Sequence, residues 1–399
     1  DYPVDAVGEL CVEEFRGKLY VKFRLQEILP CSEPAVLFDA KKVAEDEGLE
    51  FTSNEKSPRQ YWEAKAAQEP DSLIDAITEA IIGQFKPHAS QLAIIDNLKR
   101  GVNTLGVMAT GRGKSLIFHV FASYLALSQG KTSLFVYPLR ALIADQVYHL
   151  NSQLSKFGIV AQLLTGESSE DEREKIYAEL RDGKIDILLT TPEFLEFNAE
   201  EIAANAKIGF FVVDESHHIG DAKSGTREAY GKLGQVVEML GNPTTLALTA
   251  TAGDSATRDI VESLKIQSII LDRSTRENLS VTEAIDTKDK LDSIANIISA
   301  DQKTIIYVNS RSSAVDVARK LRSSRRELAM SIGFYHAGLE KDERKYIEHL
   351  FRGGKIMTLV STSAFGEGID IPDIRNVVLF HMPFSETEFN QMCGRAGRD

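Results

Sequence analysis

Cysteine is scarce in this chain: three residues of 399, Cys11, Cys31 and Cys393, lie far apart and fall in no CxxC or CxxH spacing. That argues against a disulfide framework and against a zinc site, and it suits a reducing cytoplasm, where the chain is expected to work. No apolar run approaches the roughly 18 residues of a membrane-spanning helix, and no signal-peptide pattern opens the sequence, so no membrane partner is expected. Basic residues are in the minority, 46 Lys and Arg against 59 Asp and Glu, for a formal net charge of −13. A nonspecific polycation is disfavoured; nucleic acid is not excluded, because a local groove of amides and hydroxyls holds phosphates without a global positive charge. The sequence starts at Asp1 without a Met, from which a fragment is expected. What is present is a chain with 43% hydrophobic residues, long enough to bury the cores of two or three domains.

Short apolar strands alternate with amphipathic helices over most of the length. Strands are predicted near 104–108, 133–137, 159–164, 185–190, 208–213, 244–249 and 267–271, and in a second series near 303–308, 332–335, 356–360 and 376–380. Such alternation predicts an α/β fold of two tandem doubly wound parallel-sheet lobes, 71–275 and 276–399, with the cleft between them as the natural ligand site. Residues 1–30 read as a short β-rich segment, a hairpin in which Leu19, Val21, Phe23 and Leu25 alternate with Lys22, Arg24 and Gln26. Residues 31–70, broken by Pro34, Pro58 and Pro70, read as a linker with short helical pieces. Behind an Asp71 N-cap, Leu73, Ile74, Ile77, Ile81 and Ile82 fall at helical spacing.

Two segments carry chemistry. Ala109-Thr110-Gly111-Arg112-Gly113-Lys114-Ser115 follows a predicted strand and opens a predicted helix, the layout of a phosphate-cradling loop in which backbone N–H groups and a helix N-terminus face an anion. Lys114 is expected to reach the β/γ-phosphates and Ser115 to hold Mg²⁺. The strict GxxxxGK(S/T) pattern wants Gly at 108 and finds Met108, so this segment alone is also compatible with an ordinary turn. Asp214-Glu215-Ser216-His217 ends the run Phe210-Phe211-Val212-Val213, which places two carboxylates at the carboxyl end of a buried strand, where open α/β sheets bind ligands. Asp214 is expected to hold the metal through water and Glu215 to activate the attacking water, with His217 beside them. A solvated strand end remains the alternative for the acidic pair, and metal ligation by His217 and His218 is disfavoured for want of suitable partners.

With Thr249-Ala250-Thr251 closing another strand, these segments together resemble superfamily two helicases, whose lobes are RecA-like. Ile305 to Arg311, Tyr335-His336-Ala337-Gly338-Leu339, Ala364 to Asp370 and Gln391 to Asp399 are similar to the RecQ family in order and spacing, over about 85 to 399. The resemblance implies an ATP-dependent DNA helicase using Mg²⁺, of 3′-to-5′ polarity, acting on single-stranded DNA and duplex junctions in repair and recombination. It implies nucleotide contacts from Gln91, Gly368, Asp370 and Gln391, and an arginine donated to the transition state, expected of Arg398, with Arg395 assisting or bracing the lobe interface. It implies DNA contacts from Arg140, Thr191, Ser310, Arg311 and Thr362. Residues 5–28 resemble the last strands of the oligonucleotide-binding barrel of RecJ exonucleases, which implies a covalent fusion to a RecJ-like nuclease upstream.

The chain departs from the RecQ pattern in two places. Gln91 comes two residues late after Phe85-Lys86-Pro87, and residues 219–226 replace the aromatic-rich DNA-sensing loop with Ile219-Gly220-Asp221-Ala222-Lys223-Ser224-Gly225-Thr226, leaving Tyr230 as the only nearby aromatic. Weaker or differently arranged DNA coupling is expected. The alternatives are a translocase or RNA helicase that does not unwind DNA, and a non-catalytic nucleic-acid-binding scaffold.

Overall fold

In the computed structural model, residues 4–15, 18–30 and 57–397 are described, except 110, 139, 223–224, 226, 251–252, 274–277, 285–288, 366–370, 372 and 384–385. Only the backbone is described for the hairpin and for 140–145, 341, 386–387 and 391. The chain divides into two units, Asp1–Lys56 and Ser57–Asp399.

In the first unit, β1 (Val4–Phe15) pairs antiparallel with β2 (Lys18–Pro30), as the alternation predicts. The register runs from Phe15 opposite Lys18 to Val4 opposite Pro30, with a shift between Val7 and Gly8 that marks a bulge.

The second unit begins inside the segment read as a linker. Helix α1 (Pro58–Gln68) starts at a capping box in which Ser57 and Gln60 satisfy each other's backbone N–H groups, with Pro58 in the first turn. It is seated on the following lobe. Arg59 pairs with the buried Asp186 at 2.9 Å, Trp62 donates to the Lys156 carbonyl at 3.2 Å, and its ring meets Phe157 edge-on. Gly158 has φ +68, and a Cβ there would lie 2.6 Å from Cβ of Arg59, so only glycine lets the helix approach this closely. Helix α2 (Leu73–Ile82) follows, but its N-cap is Ser72 rather than Asp71, and Ser72 makes no side-chain cap bond because its hydroxyl donates to Glu69 instead.

The first lobe then reads α3 (Ala89–Lys99), β3 (Thr104–Val107), α4 (Lys114–Gln129), β4 (Thr132–Val136), α5 (Arg140–Leu154), β5 (Ala161–Leu163), α6 (Glu170–Arg181), β6 (Ile187–Thr190), α7 (Pro192–Asn205), β7 (Ile208–Val213), α8 (His218–Ala222), α9 (Leu233–Met239), β8 (Thr244–Thr249), α10 (Asp254–Ser263) and β9 (Ser268–Leu271). Its seven strands form one parallel sheet in the order β5-β6-β4-β7-β8-β3-β9. Strand alternation divides the core in two. Phe210 and Val212 pack on one face with Phe118 and Phe121 of α4, while Phe211 and Val213 pack on the other with Leu195 of α7 and Val236 of α9. Both faces are apolar, which is why these strands are continuous hydrophobic runs.

The second lobe reads α11 (Lys290–Ile297), β10 (Lys303–Tyr307), α12 (Arg311–Ser324), β11 (Ile332–Tyr335), α13 (Lys341–Arg352), β12 (Thr358–Ser361), β13 (Ile374–Leu379) and α14 (Glu386–Cys393). Its parallel sheet has the order β11-β12-β10-β13. Ile306 and Val308 face one core cluster, Ile305 and Tyr307 the other. The two parallel-sheet α/β lobes expected from the alternation are present, consistent with the RecA-like lobes that the resemblance implies. Among the described residues, no helix is long and apolar enough to cross a membrane.

Candidate nucleotide-hydrolysis site

The sheet order brings three strand ends together. β7, β8 and β3 are neighbours, so the residues leaving their carboxyl ends meet, as open α/β sheets arrange their ligand sites. Backbone bonds fix them: Met108 N donates to Thr249 O at 2.9 Å, Ser216 N to Leu248 O at 2.9 Å, and Asp214 N to Val136 O at 3.1 Å.

The phosphate loop turns on Gly111 (φ +76) and Gly113 (φ +66), and α4 starts at Lys114 with Ser115 exposed in its first turn. A Cβ on Gly113 would lie 2.8 Å from Nε2 of Gln91, so that position is closed to larger residues twice over. Thr110 lies outside the described residues. Gln91, expected as a nucleotide contact, is buried and its amide is bonded to the loop itself. Its Nε2 donates to the carbonyls of Arg112 (3.1 Å) and Gly113 (2.8 Å), and its Oε1 accepts from His88 N (2.7 Å). Both amide protons are committed to the loop. Arg112 likewise sends its side chain to Asp272, Nε to Oδ2 at 3.0 Å, and not along the loop.

Asp214 and Glu215 follow β7. Glu215 has φ +48, a conformation uncommon for a non-glycine residue, and its N–H donates to Oδ1 of Asp214 at 3.0 Å. Burial pushes the Asp214 carboxyl up, against the attraction of Lys114, and the neighbouring Glu215 charge adds to the rise. For Glu215 burial acts in the same direction but is outweighed by Lys114 and by His217, so its carboxyl is held below the usual range. Two adjacent carboxyls whose acidities are driven apart, by burial at Asp214 and by Lys114 with His217 at Glu215, suit different roles. Oε2 of Glu215 is buried without a hydrogen-bond partner and lies 3.4 Å from Nδ1 of His217, which is itself 3.2 Å from the Thr249 hydroxyl. An orphaned buried carboxylate oxygen is where a reacting water would be received. The donor set of Ser115 hydroxyl and Asp214 carboxylate fits a hard divalent cation such as Mg²⁺. His217, His218 and Asp221 also bring ligand-type atoms within 4.8 Å of one another, with His218 bonded to Asp221 at 2.9 Å.

Two residues not anticipated connect this site to its surroundings. Arg227, at φ +57, donates from Nη1 to the Pro138 carbonyl at 2.6 Å, and the Tyr230 hydroxyl donates to the Asp214 carbonyl at 3.4 Å. Tyr230 is fully buried, so the sole aromatic near the replaced loop supports Asp214 from behind and presents no stacking face. The left-handed Arg227 has no signal in sequence; Tyr230 had one in its isolation among polar residues.

The expected nucleic-acid contacts are placed unevenly. Thr191, expected as a DNA contact, is buried, and its Oγ1 accepts from Phe194 N at 3.3 Å as the N-cap of α7. Ser310 caps α12 through Ser313 N at 3.1 Å. Arg311 is exposed, with its guanidinium so close over Gly338 that a Cβ there would lie 2.9 Å from Nη1. Thr362 is half-buried, its carbonyl accepting from Ser361 Oγ at 2.7 Å. Arg140 opens α5, and its side chain lies outside the described residues, as does that of Gln391 on α14. Arg395 is buried in the turn after α14, while Gly368, Asp370 and Arg398 lie outside the described residues.

Comparison with known proteins agrees with this geometry. Residues 88–260 match the DEAD/DEAH box helicase family and residues 289–399 the helicase conserved C-terminal domain. The chain is 34% identical over 316 residues to "Probable ATP-dependent DNA helicase RecS" of Bacillus subtilis, covering 77% of this chain and 61% of that protein. It is 31% identical over 327 residues to the ATP-dependent DNA helicase RecQ of Pasteurella multocida, covering 81% of this chain and 50% of that protein. The chain thus spans half to three-fifths of these relatives. Among solved structures it shares its fold with Mycobacterium smegmatis helicase Lhr bound to ssDNA and AMP-PNP (TM-score 0.64, 22% identity, 81% of this chain and 46% of that one). It shares it also with the DUF1998 helicase MrfA bound to DNA (TM-score 0.67, 19% identity, 81% and 49%). Two helicase family models, DEAD/DEAH box and conserved C-terminal, thus match successive parts of the chain, and its sequence shows homology to RecQ-type DNA helicases.

Proposed function

We propose that this chain is the motor of an ATP-dependent, RecQ-like DNA helicase that couples ATP hydrolysis to 3′-to-5′ translocation on single-stranded DNA and unwinding at duplex junctions, in repair and recombination in the cytoplasm. The observation that carries the reading is the meeting of Lys114 with Asp214 and Glu215 at adjoining strand ends, where one lysine acts electrostatically on both carboxyls. Lys114 and the N–H groups of the loop bind and orient the phosphates, and Gln91 holds that loop in shape from behind. Ser115 and Asp214 would hold Mg²⁺, which would supply charge neutralisation to the phosphates. Glu215 receives the water and its proton, with His217 and Thr249 fixing the carboxylate's surroundings. Arg395 and Arg398 complete the site from the second lobe, so hydrolysis requires that lobe. Arg140, Ser310, Arg311 and Thr362 hold the DNA backbone, a sequence-independent grip of charge and hydroxyls.

The reading extends to the first unit, whose bulged hairpin supports the end of a RecJ-like oligonucleotide-binding barrel, with a nuclease fused upstream. An upstream coding sequence without a phosphoesterase motif removes that part. The motor itself is tested by ATP hydrolysis with and without single-stranded DNA, together with strand displacement on DNA and RNA duplexes. DNA-stimulated turnover with DNA displacement is expected. Turnover without displacement assigns a translocase, displacement of RNA alone assigns an RNA helicase, and DNA binding without turnover assigns a scaffold.

A further inference from the structure

A cation inside a phosphate loop is ordinarily read as a phosphate ligand, and Arg112 is turned the other way. Its Nε donates to Oδ2 of Asp272 at 3.0 Å, and the pair is largely withdrawn from water, with side-chain exposures of 17% and 4%. Asp272 directly follows β9, and its N–H donates to the Val107 carbonyl at 2.9 Å, extending the β3–β9 ladder to the residue where β3 ends. The loop is therefore gripped twice near position 112: by the Gln91 amide on two carbonyls, and by the Asp272 carboxylate on the guanidinium. Gripping a cation with a nearly buried carboxylate makes the arrangement all-or-none, because removing either partner leaves an uncompensated charge.

The segment beyond Asp272 is the connector between the lobes, and it is anchored at its far end as well. Asn278 Nδ2 donates to the Gly397 carbonyl at 2.8 Å. Gly397, at φ +59, donates its N–H to the carbonyl of Ile374, the first residue of β13, and Arg398 follows it in sequence. From Asp272 to Asn278 the chain spans six residues, which reach at most about 20 Å when fully extended. The chain is thus bonded to the phosphate loop at Asp272 and, six residues on at Asn278, to the turn that precedes Arg398.

We infer that the Arg112–Asp272 pair is a positioning device: it ties the phosphate loop to the interlobe connector, which passes the loop's state to the Gly397 turn of the second lobe. The inference rests on the reading of residues 109–115 as a nucleotide site. Arg112 and Asp272 act through the loop, not on the phosphates. The test compares Arg112→Gln, Asp272→Asn, the double variant, Arg112→Lys and Asn278→Ala in the full chain, reading kcat and KM of DNA-stimulated ATP hydrolysis and the affinity of a fluorescent ATP analogue. A positioning role lowers kcat about tenfold in either single charge-neutral variant with KM within about twofold, makes the double no worse than the worse single, and lets Arg112→Lys recover most of the rate. Asn278→Ala lowers kcat in the same manner from the other end, without disturbing any buried charge. A phosphate-contacting Arg112 gives the opposite split: Arg112→Gln raises KM, Asp272→Asn lowers it by freeing the guanidinium, and the inference is overturned. Unchanged kcat in Asn278→Ala, or additive losses in the double, also overturns it while leaving the ATPase reading standing. Wild-type protein that binds no nucleotide removes both.

Discussion

The two lobes share a fold but hold their functional segments differently. In the first, distant side chains reach across to fix the loops: Gln91 the phosphate loop, Arg227 the Pro138 carbonyl, Tyr230 the Asp214 carbonyl and Asp272 the Arg112 guanidinium. In the second, the holds are mixed: Ser310 caps its own helix and Arg311 stands exposed over Gly338, while the buried Ser361 hydroxyl bonds both the next carbonyl along and that of Tyr335, 26 residues away. The difference teaches a division of labour. A cradle must be preorganised before its ligand arrives, so its parts are braced from behind. A group proposed to grip a moving polymer must engage and release, and Arg311, the cation of the proposed DNA-binding set in this lobe, stands at the surface.

That contrast predicts a ranking of effects. Lys114→Ala or Glu215→Gln, both in the braced lobe, should reduce ATP turnover at least about a hundredfold with the fold intact by circular dichroism. Turnover within a few-fold of wild type would remove the proposed site.

Next in size is a pH effect confined to the first lobe's interior. His119 lies on the buried face of α4, where burial pushes its imidazole down to about 4 against a hydrogen bond with Gln153. The unfolded chain takes up this proton below about pH 6.5 and the folded chain only near 4, so the stabilisation is present above 6.5 and is lost as the pH falls toward 4. It amounts to about 3 kcal/mol at most. Urea unfolding at about pH 7.5 and about pH 5 should show the loss, and His119→Leu should flatten it; an equal slope in that variant would refute the assignment.

A smaller effect tests where the braced lobe begins. Trp62→Ala removes the contact of α1 with Phe157 and should cost about 2 kcal/mol. A plain linker would show no change in the unfolding midpoint.

Smallest is Arg311→Ala in the exposed set. It should weaken single-stranded DNA binding a few-fold and reduce the magnitude of the salt slope by about 0.7 without altering ATP affinity. A hundredfold loss would mean that the second lobe's grip is as tightly organised as the first lobe's cradle.

Much of the architecture was legible in the chain. The run Ile208–Val213 is a strand, and the carboxylates after it stand at its carboxyl end, because only a sheet covered on both faces makes an uninterrupted apolar run stable. Lys303–Tyr307 and Ile332–Tyr335 were legible for the same reason. The seating of α1 was not. Its sequence is polar and bounded by prolines, and its hold on the lobe comes from Asp186, 127 residues away, and from the absence of a side chain at Gly158.

The site divides in the same way. The placement of Lys114 and Ser115 at a strand-to-helix turn and of Asp214 and Glu215 at a strand end was readable, because local periodicity sets where strands stop and helices start. The surroundings of Thr191 and Gln91 were not readable, because a hydroxyl or an amide serves a ligand or a backbone group equally well, and only the surrounding chain brings the backbone group within reach. The sequence by itself determined the order of strands and helices and the residues delivered to the strand ends, since both follow from local periodicity and local chemistry. The tertiary structure alone decided which side chains stand behind the site. Arg112 and Asp272 lie 160 residues apart, and nothing but the pairing of β3 with β9 brings a cation in the phosphate loop to a carboxylate at the start of the connector.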